Sequence, residues 1–165
     1  MSTLYNADDR FLDAYFKAYP GFYDTCDAGI MDEKGYIHIL AREDDVINVA
    51  GHRLSTSALE EVVLKHPKIA QVAVVGMEDE LKGQLPCALF VLKEQFKNDP
   101  EESTILELVK MVRKDVGAVA AFKIAVAVKD LPRTRSGKTP RKVISDLVSG
   151  RDYKVITESV ISCLF

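Results

Sequence analysis

The sequence predicts an α+β domain built on a small mixed β-sheet covered by helices. Three observations lead there. Short β-branched runs alternate with stretches of helical periodicity, the pattern of a sheet packed under helices. Residues 85–92 are almost wholly apolar, as expected of a strand buried on both faces. Glycine, proline and aspartate fall between these runs, where turns belong.

Residues 2–25 are aromatic-rich without regular pattern: Tyr5, Phe11, Tyr15, Phe16, Tyr19, Phe22 and Tyr23. They read either as a loop packed on its own core or as a surface that packs on a larger domain. Asp32, Glu33, Lys34 and Gly35 form a turn, with Gly35 suited to positive φ. Residues 36–40 follow as a strand, and 46–49 as a second strand that Gly51 breaks. Leu59, Val62, Val63 and His66 recur at helical spacing up to Pro67, with Ser57 and Glu60 at capping-box spacing. Residues 69–75 read as a strand. Asp99, Pro100 and Glu102 open a helix whose inner face is Ile105, Leu108, Val109, Val112 and Val116. Residues 122–128 form the last strand, and a short helix follows Pro140.

A chain of 165 residues buries about 70% of its unfolded surface. Its 47% hydrophobic and 28% charged content are ordinary for a globular domain. The net charge of -3 argues against a general nucleic-acid binder. No run is long enough to span a membrane. Cys26, Cys87 and Cys163 form neither a C-x-x-C pair nor a disulfide framework, so a reducing, intracellular compartment is expected. His38, His52 and His66 lack zinc-ligand spacing, and no metal site is expected.

The segment most charged with chemistry is Arg133-Thr134-Arg135-Ser136-Gly137-Lys138-Thr139-Pro140-Arg141-Lys142. Gly137 lets the backbone bend, and Lys138 supplies a mobile positive charge for an anion whose charge grows during a reaction. A P-loop needs glycine five residues before Gly137, and that position is Pro132. The loop alone therefore reads as another kind of phosphate-handling turn or as a solvated basic turn. Upstream lies Arg42-Glu43-Asp44-Asp45-Val46-Ile47-Asn48, followed by Gly51-His52-Arg53.

Together these two segments resemble the C-terminal domain of adenylate-forming acyl-CoA synthetases, most closely the acetate- and propionate-activating short-chain branch. The resemblance runs from about residue 6 to about 155. It implies three parts: 1–43, a remnant of the end of a large adenylating domain; 44–150, the mobile C-terminal domain; and 151–165, a divergent or truncated tail. It implies a two-step reaction in which a short-chain carboxylate and ATP give an acyl-adenylate, and coenzyme A then gives a thioester and AMP.

By the same resemblance Lys138 stabilises the phosphoryl charge of the first step. Asp27 binds the ribose hydroxyls, with Cys26 where the family has glycine. Arg42 reaches the nucleotide, next to Ala41 where the family has glycine. Asp44 is the hinge. Gly51 and His52 face the pantetheine arm, Arg53 a phosphate, and Arg113 a phosphate of coenzyme A. Magnesium comes with ATP and is held mainly outside this chain. The partner is the large N-terminal domain, so the isolated chain is expected to be inactive. The compartment implied is mitochondrial or cytoplasmic, with the mitochondrion favoured. Two rival readings stand beside this one: a binding or regulatory module using the aromatic N-terminal surface, and a phosphate- or nucleic-acid-binding domain using 133–142.

Overall fold

The computed structural model describes residues 3–42, 45–134 and 136–152. Asp44, Arg135 and residues 153–165, with the tail expected from 151 onward, fall wholly or mostly outside the described residues. Two compact units divide the chain, Met1–Glu43 and Asp44–Phe165.

The first unit holds helix α1 (Asp8–Tyr15) and strands β1 (Asp27–Met31) and β2 (Ile37–Arg42). Helix α1 corrects the expectation of an irregular segment. Asp8 and Asp9 place negative charge at its N-terminal end, where the helix dipole favours it. It buries Phe11 against Tyr15 and Phe16, with ring centroids 5.5 and 5.6 Å away. Tyr23 stacks on Tyr15 at 4.9 Å. Burial and the neighbouring Tyr15 raise the Tyr23 pKa. The aromatics therefore divide: these four pack on one another, with Tyr23 still partly exposed, while Tyr5, Tyr19 and Phe22 are exposed and outside that cluster.

Strands β1 and β2 pair antiparallel around the expected turn, where Gly35 has φ +84°. Asp32 Oδ1 accepts the amides of Lys34 and Tyr36 and so closes that turn. A bulge follows Ala28, and a Cβ on Gly29 would meet the His38 carbonyl at 3.0 Å. The sequence alone did not mark β1, because its burial pattern lacks the alternation that identifies a half-buried strand.

The second unit contains β3 (Val46–Val49), β4 (His52–Ser55), α2 (Thr56–Leu64), β5 (Ile69–Asp79), β6 (Gly83–Leu92), α3 (Glu101–Asp115), β7 (Ile124–Ala127) and α4 (Arg141–Val148). Its sheet runs β4-β3-β6-β5, with β7 parallel to β6 and the other pairs antiparallel. Strand β5 takes one edge of β6. The other edge is shared by β3 at Gly83 and β7 at residues 87–90. Pro86 lies between those two contacts, where a missing amide breaks no ladder bond on that edge.

Strand β6 is buried on both faces, as its apolar run requires. Ala88, Phe90 and Leu92 meet α2 and α3 through Leu59, Val63, Leu108 and Val112. Cys87, Leu89 and Val91 face the layer of Val128, Leu131 and Ile144 of α4. Phe90 is fully buried, so truncation to alanine costs about 3–5 kcal/mol.

Several local expectations change. Gly51 does not end a lone strand; Ala50 and Gly51 form the two-residue turn of a β3–β4 hairpin, at φ +49° and +87°. Both positive values suit the twist of a tight hairpin. The run at 69–75 extends to Asp79 and pairs with β6 throughout. Helix α2 starts at Thr56 without a side-chain cap, so Ser57 and Glu60 do not form a capping box. The Glu60 carboxylate is drawn to Arg141 instead, a charged partner stronger than an amide. Helix α3 likewise lacks a side-chain cap: Asp99 pairs with Lys68 at 2.9 Å, and that bond raises the Lys68 pKa.

Candidate functional site

Four places in the structure carry the chemistry-bearing residues. In the first unit, Asp27 and Arg42 are direct cross-strand partners at the end of the β1–β2 hairpin farthest from its turn. Both are exposed. Cys26 before them has φ +57°, a left-handed conformation that glycine adopts without strain. Its amide donates to Asp24 Oδ1 at 2.8 Å, and the Asp27 amide to Thr25 Oγ1 at 3.3 Å. These short-range bonds present the Asp27 carboxylate at the start of β1, with lone pairs able to accept two hydroxyls.

The second place is the turn around Lys138. The Gly137 amide donates to the Thr134 carbonyl at 2.8 Å, and the Thr134 amide to the Lys138 carbonyl at 2.8 Å. Thr134 Oγ1 accepts the Lys138 amide at 3.1 Å. Gly137 has φ +80° with open space around its α-carbon. Arg133 bonds the Gly137 carbonyl at 3.1 Å and Gln71 of β5 at 2.6 Å. The backbone is thus strapped down. Lys138 itself is exposed and forms no ion pair among the described residues. A fixed turn bearing an uncommitted ammonium can deliver charge to a phosphoryl group.

The third place is the β3–β4 hairpin. Gly51, His52 and Arg53 are exposed, and nothing lies within 4 Å of the place where a Gly51 Cβ would stand. The Ala50 amide donates to the Lys82 carbonyl at 2.8 Å, and the Asn48 amide to Gln84 Oε1 at 2.8 Å. These bonds hold the hairpin against the β5–β6 turn and leave its outer backbone bare.

The fourth is a groove of about 210 Å³ at the end of α3, lined by Val109, Arg113, Gly117, Phe122 and Lys123. Arg113 lines it with a second cation, Lys123, which sequence reasoning missed. No periodic signal joins these two residues; the turn at Gly117 brings them to one groove. Glu60 and Arg133 were also missed as site residues, because the partners Arg141 of Glu60 and Gln71 of Arg133 lie 81 and 62 positions away. Among the described residues no group of three or more His, Cys, Asp or Glu side chains could hold a metal ion. No helix among them is long and apolar enough to cross a membrane.

Residues 58–138 match the AMP-binding enzyme C-terminal domain family. The chain is 55% identical over 154 residues to mouse acyl-CoA synthetase short-chain family member 3, mitochondrial, covering 93% of this chain and 22% of the mouse protein. It is 47% identical over 150 residues to the acetyl-coenzyme A synthetase of Coprinopsis cinerea, covering 90% of this chain and 23% of that protein. Among solved structures, an ATP-bound RpMatB–BxBclM chimera is 27% identical with a TM-score of 0.70, over 90% of this chain and 28% of that one. A Brucella canis acyl-CoA synthetase is 32% identical with a TM-score of 0.59, over 79% of this chain and 24% of that one. The chain therefore spans about a quarter of the length of the relatives it matches. With the matched residues 58–138 and these relatives in agreement, the chain belongs to the AMP-binding enzyme C-terminal domain family, and its relatives are short-chain acyl-CoA and acetyl-CoA synthetases.

Proposed function

We propose that this chain is the mobile catalytic part of a short-chain acyl-CoA synthetase that works with a large adenylating domain. In the first step a carboxylate oxygen of acetate or propionate attacks the α-phosphorus of ATP and pyrophosphate leaves. Lys138 offsets the charge that builds on the phosphoryl oxygens. Asp27 accepts the ribose hydroxyls and Arg42 lies beside it for the nucleotide. In the second step the coenzyme A sulfur attacks the acyl carbonyl and AMP leaves. Gly51 and His52 then border the pantetheine arm, Arg53 meets a phosphate, and Arg113 with Lys123 receives a phosphate of coenzyme A. Magnesium enters with ATP and is held mainly by the large domain.

The observation that carries this reading is the uncommitted Lys138 on a strapped glycine turn. The surfaces fit as well. Met31, Ile37 and Ile39 share one exposed face of the β1–β2 hairpin, an apolar surface suited to burial against another domain. Asp44, at the boundary of the two compact units, is proposed as the pivot between the two steps. The mitochondrial relatives favour a mitochondrial protein.

The test is a chimera in which this chain replaces the matching segment of the mouse relative. The chimera is expected to perform acetate- or propionate-dependent ATP–pyrophosphate exchange, whereas the isolated chain performs none. Lys138→Ala in the chimera is expected to slow adenylate formation about 10²–10³-fold and to spare thioester formation from supplied acyl-adenylate. Equal loss in both steps would remove Lys138 from the first step. Exchange by the isolated chain would overturn the need for a partner domain.

A further inference from the structure

Arg141 is the first residue of α4, three positions after Lys138. Its side chain is three-quarters buried and reaches three other parts of the second unit. Nε lies 3.0 Å from Asp45 Oδ1, just past the boundary between the two units. The two terminal nitrogens bind both carboxylate oxygens of Glu60 on α2, with Nη2 at 3.0 Å from Oε2. Nη1 also donates to the Val74 carbonyl of β5 at 3.1 Å. Glu60 Oε1 meanwhile accepts the Val74 amide at 2.8 Å. One guanidinium thus ties the entry to the unit, a helix, a strand and the exit of the lysine turn.

The other shoulder of that turn has a matching strap. Arg133 joins the Gly137 carbonyl to Gln71, also on β5. Lys138 therefore stands between two arginines that both end on one strand. A turn that only reverses the chain needs no such anchorage, and none is placed where it would pair the lysine ammonium. The partners are only 14% and 26% exposed, so water screens these bonds less than a surface pair.

We propose that Arg141 is a positioning residue for acyl-adenylate formation: it locks the Lys138 turn and the chain entry at Asp45 into one frame, so that Lys138 reaches the phosphoryl group at a set place when the unit docks. This rests on the proposed role of Lys138. The thioester step is assigned to Gly51, His52 and Arg53 at the tip of the β3–β4 hairpin, whereas the bonds described for Arg141 run to Asp45, Glu60 and Val74, so the two steps respond differently to its loss. Misplacing a reacting group by about 1 Å costs roughly 10²-fold. Lysine cannot replace arginine here, because one ammonium cannot bind a carboxylate bidentately and reach two further oxygens.

The test measures both half-reactions in the chimera with Arg141→Lys. Adenylate formation is expected to slow about 10- to 100-fold, with the KM for ATP unchanged and thioester formation from supplied acyl-adenylate within roughly threefold. Amide exchange at Gly137 and Lys138, measured by hydrogen–deuterium exchange, is expected to quicken at least about tenfold. Should that variant fail to fold, Glu60→Gln, which keeps one acceptor, is read by the same rates. Unchanged adenylation, or equal slowing of both steps, overturns the positioning role. The Lys138→Ala control separates the two failures. If it cripples adenylation while the Arg141 variant does not, only the positioning role is lost. If it leaves adenylation intact, the reading of the lysine falls first.

Discussion

Asp27 and Arg42 stand opposite each other across the β1–β2 hairpin, fifteen positions apart in the sequence and adjacent in register. The bulge after Ala28 sets this pairing, because it shifts the two strands by one residue between 28↔41 and 29↔39. A carboxylate and a guanidinium thus sit side by side.

For Asp27→Asn in the chimera we expect the KM for ATP to rise about tenfold with kcat little changed, since one charged hydrogen bond contributes about 1.5–3 kcal/mol and the ribose does not react. Steady-state kinetics with varied ATP checks this. A fall in kcat at unchanged KM would place Asp27 elsewhere in the cycle.

Cys26→Gly should stabilise the first unit. Relief of a left-handed residue is worth about 1–2 kcal/mol, and added glycine freedom in the unfolded chain takes back about 0.5–1 kcal/mol. A net gain of roughly 0.5–1 kcal/mol is expected. The chain has no tryptophan, and five of its six tyrosines lie in the first unit, so tyrosine fluorescence in urea reports this unit. A lowered midpoint would show that the cysteine side chain matters more than its torsion.

Acid should weaken, through Glu107, the contact between α3 and the His66 turn that follows α2. His66 is buried; its Nδ1 accepts the Lys68 amide at 3.3 Å, and this leaves Nε2–H to donate to Glu107 Oε2 at 2.8 Å. That hydrogen bond, with Lys68, His66 and Lys110 nearby, lowers the Glu107 pKa against the opposing effect of burial. The folded chain therefore holds this proton less readily than the unfolded chain. Its contribution is present above the unfolded value of about 4.3 and is lost as pH falls through the lower folded value. In Glu107→Gln the loss of stability is expected above about pH 5 and should vanish at lower pH. Urea midpoints across pH read it out; a difference independent of pH would assign the effect to packing.

Thr104 is fully buried in α3, and its hydroxyl has no hydrogen-bond partner. An unsatisfied buried hydroxyl costs about 1–3 kcal/mol, so Thr104→Val, of similar shape, should raise stability by about 1 kcal/mol. A loss on thermal or urea unfolding would mean that the hydroxyl is bonded in solution.

The amino-acid sequence by itself determined the elements whose signals are local. The apolar run of β6, the helical stripe of Leu108 and Val112, and the turns at Gly35 and Gly137 are properties of a few adjacent residues, governed by periodicity and backbone sterics. The motif around Lys138 was legible for the same reason. Only the tertiary structure decided where Glu60 spends its carboxylate, since its partner Arg141 lies 81 positions away and outcompetes a local cap. It alone decided that β7 joins β6 in parallel, that Lys123 shares a groove with Arg113, and that two arginines strap the lysine turn to β5. Hydrogen bonds and grooves between distant segments depend on how the sheet brings them together, and no local pattern encodes that distance.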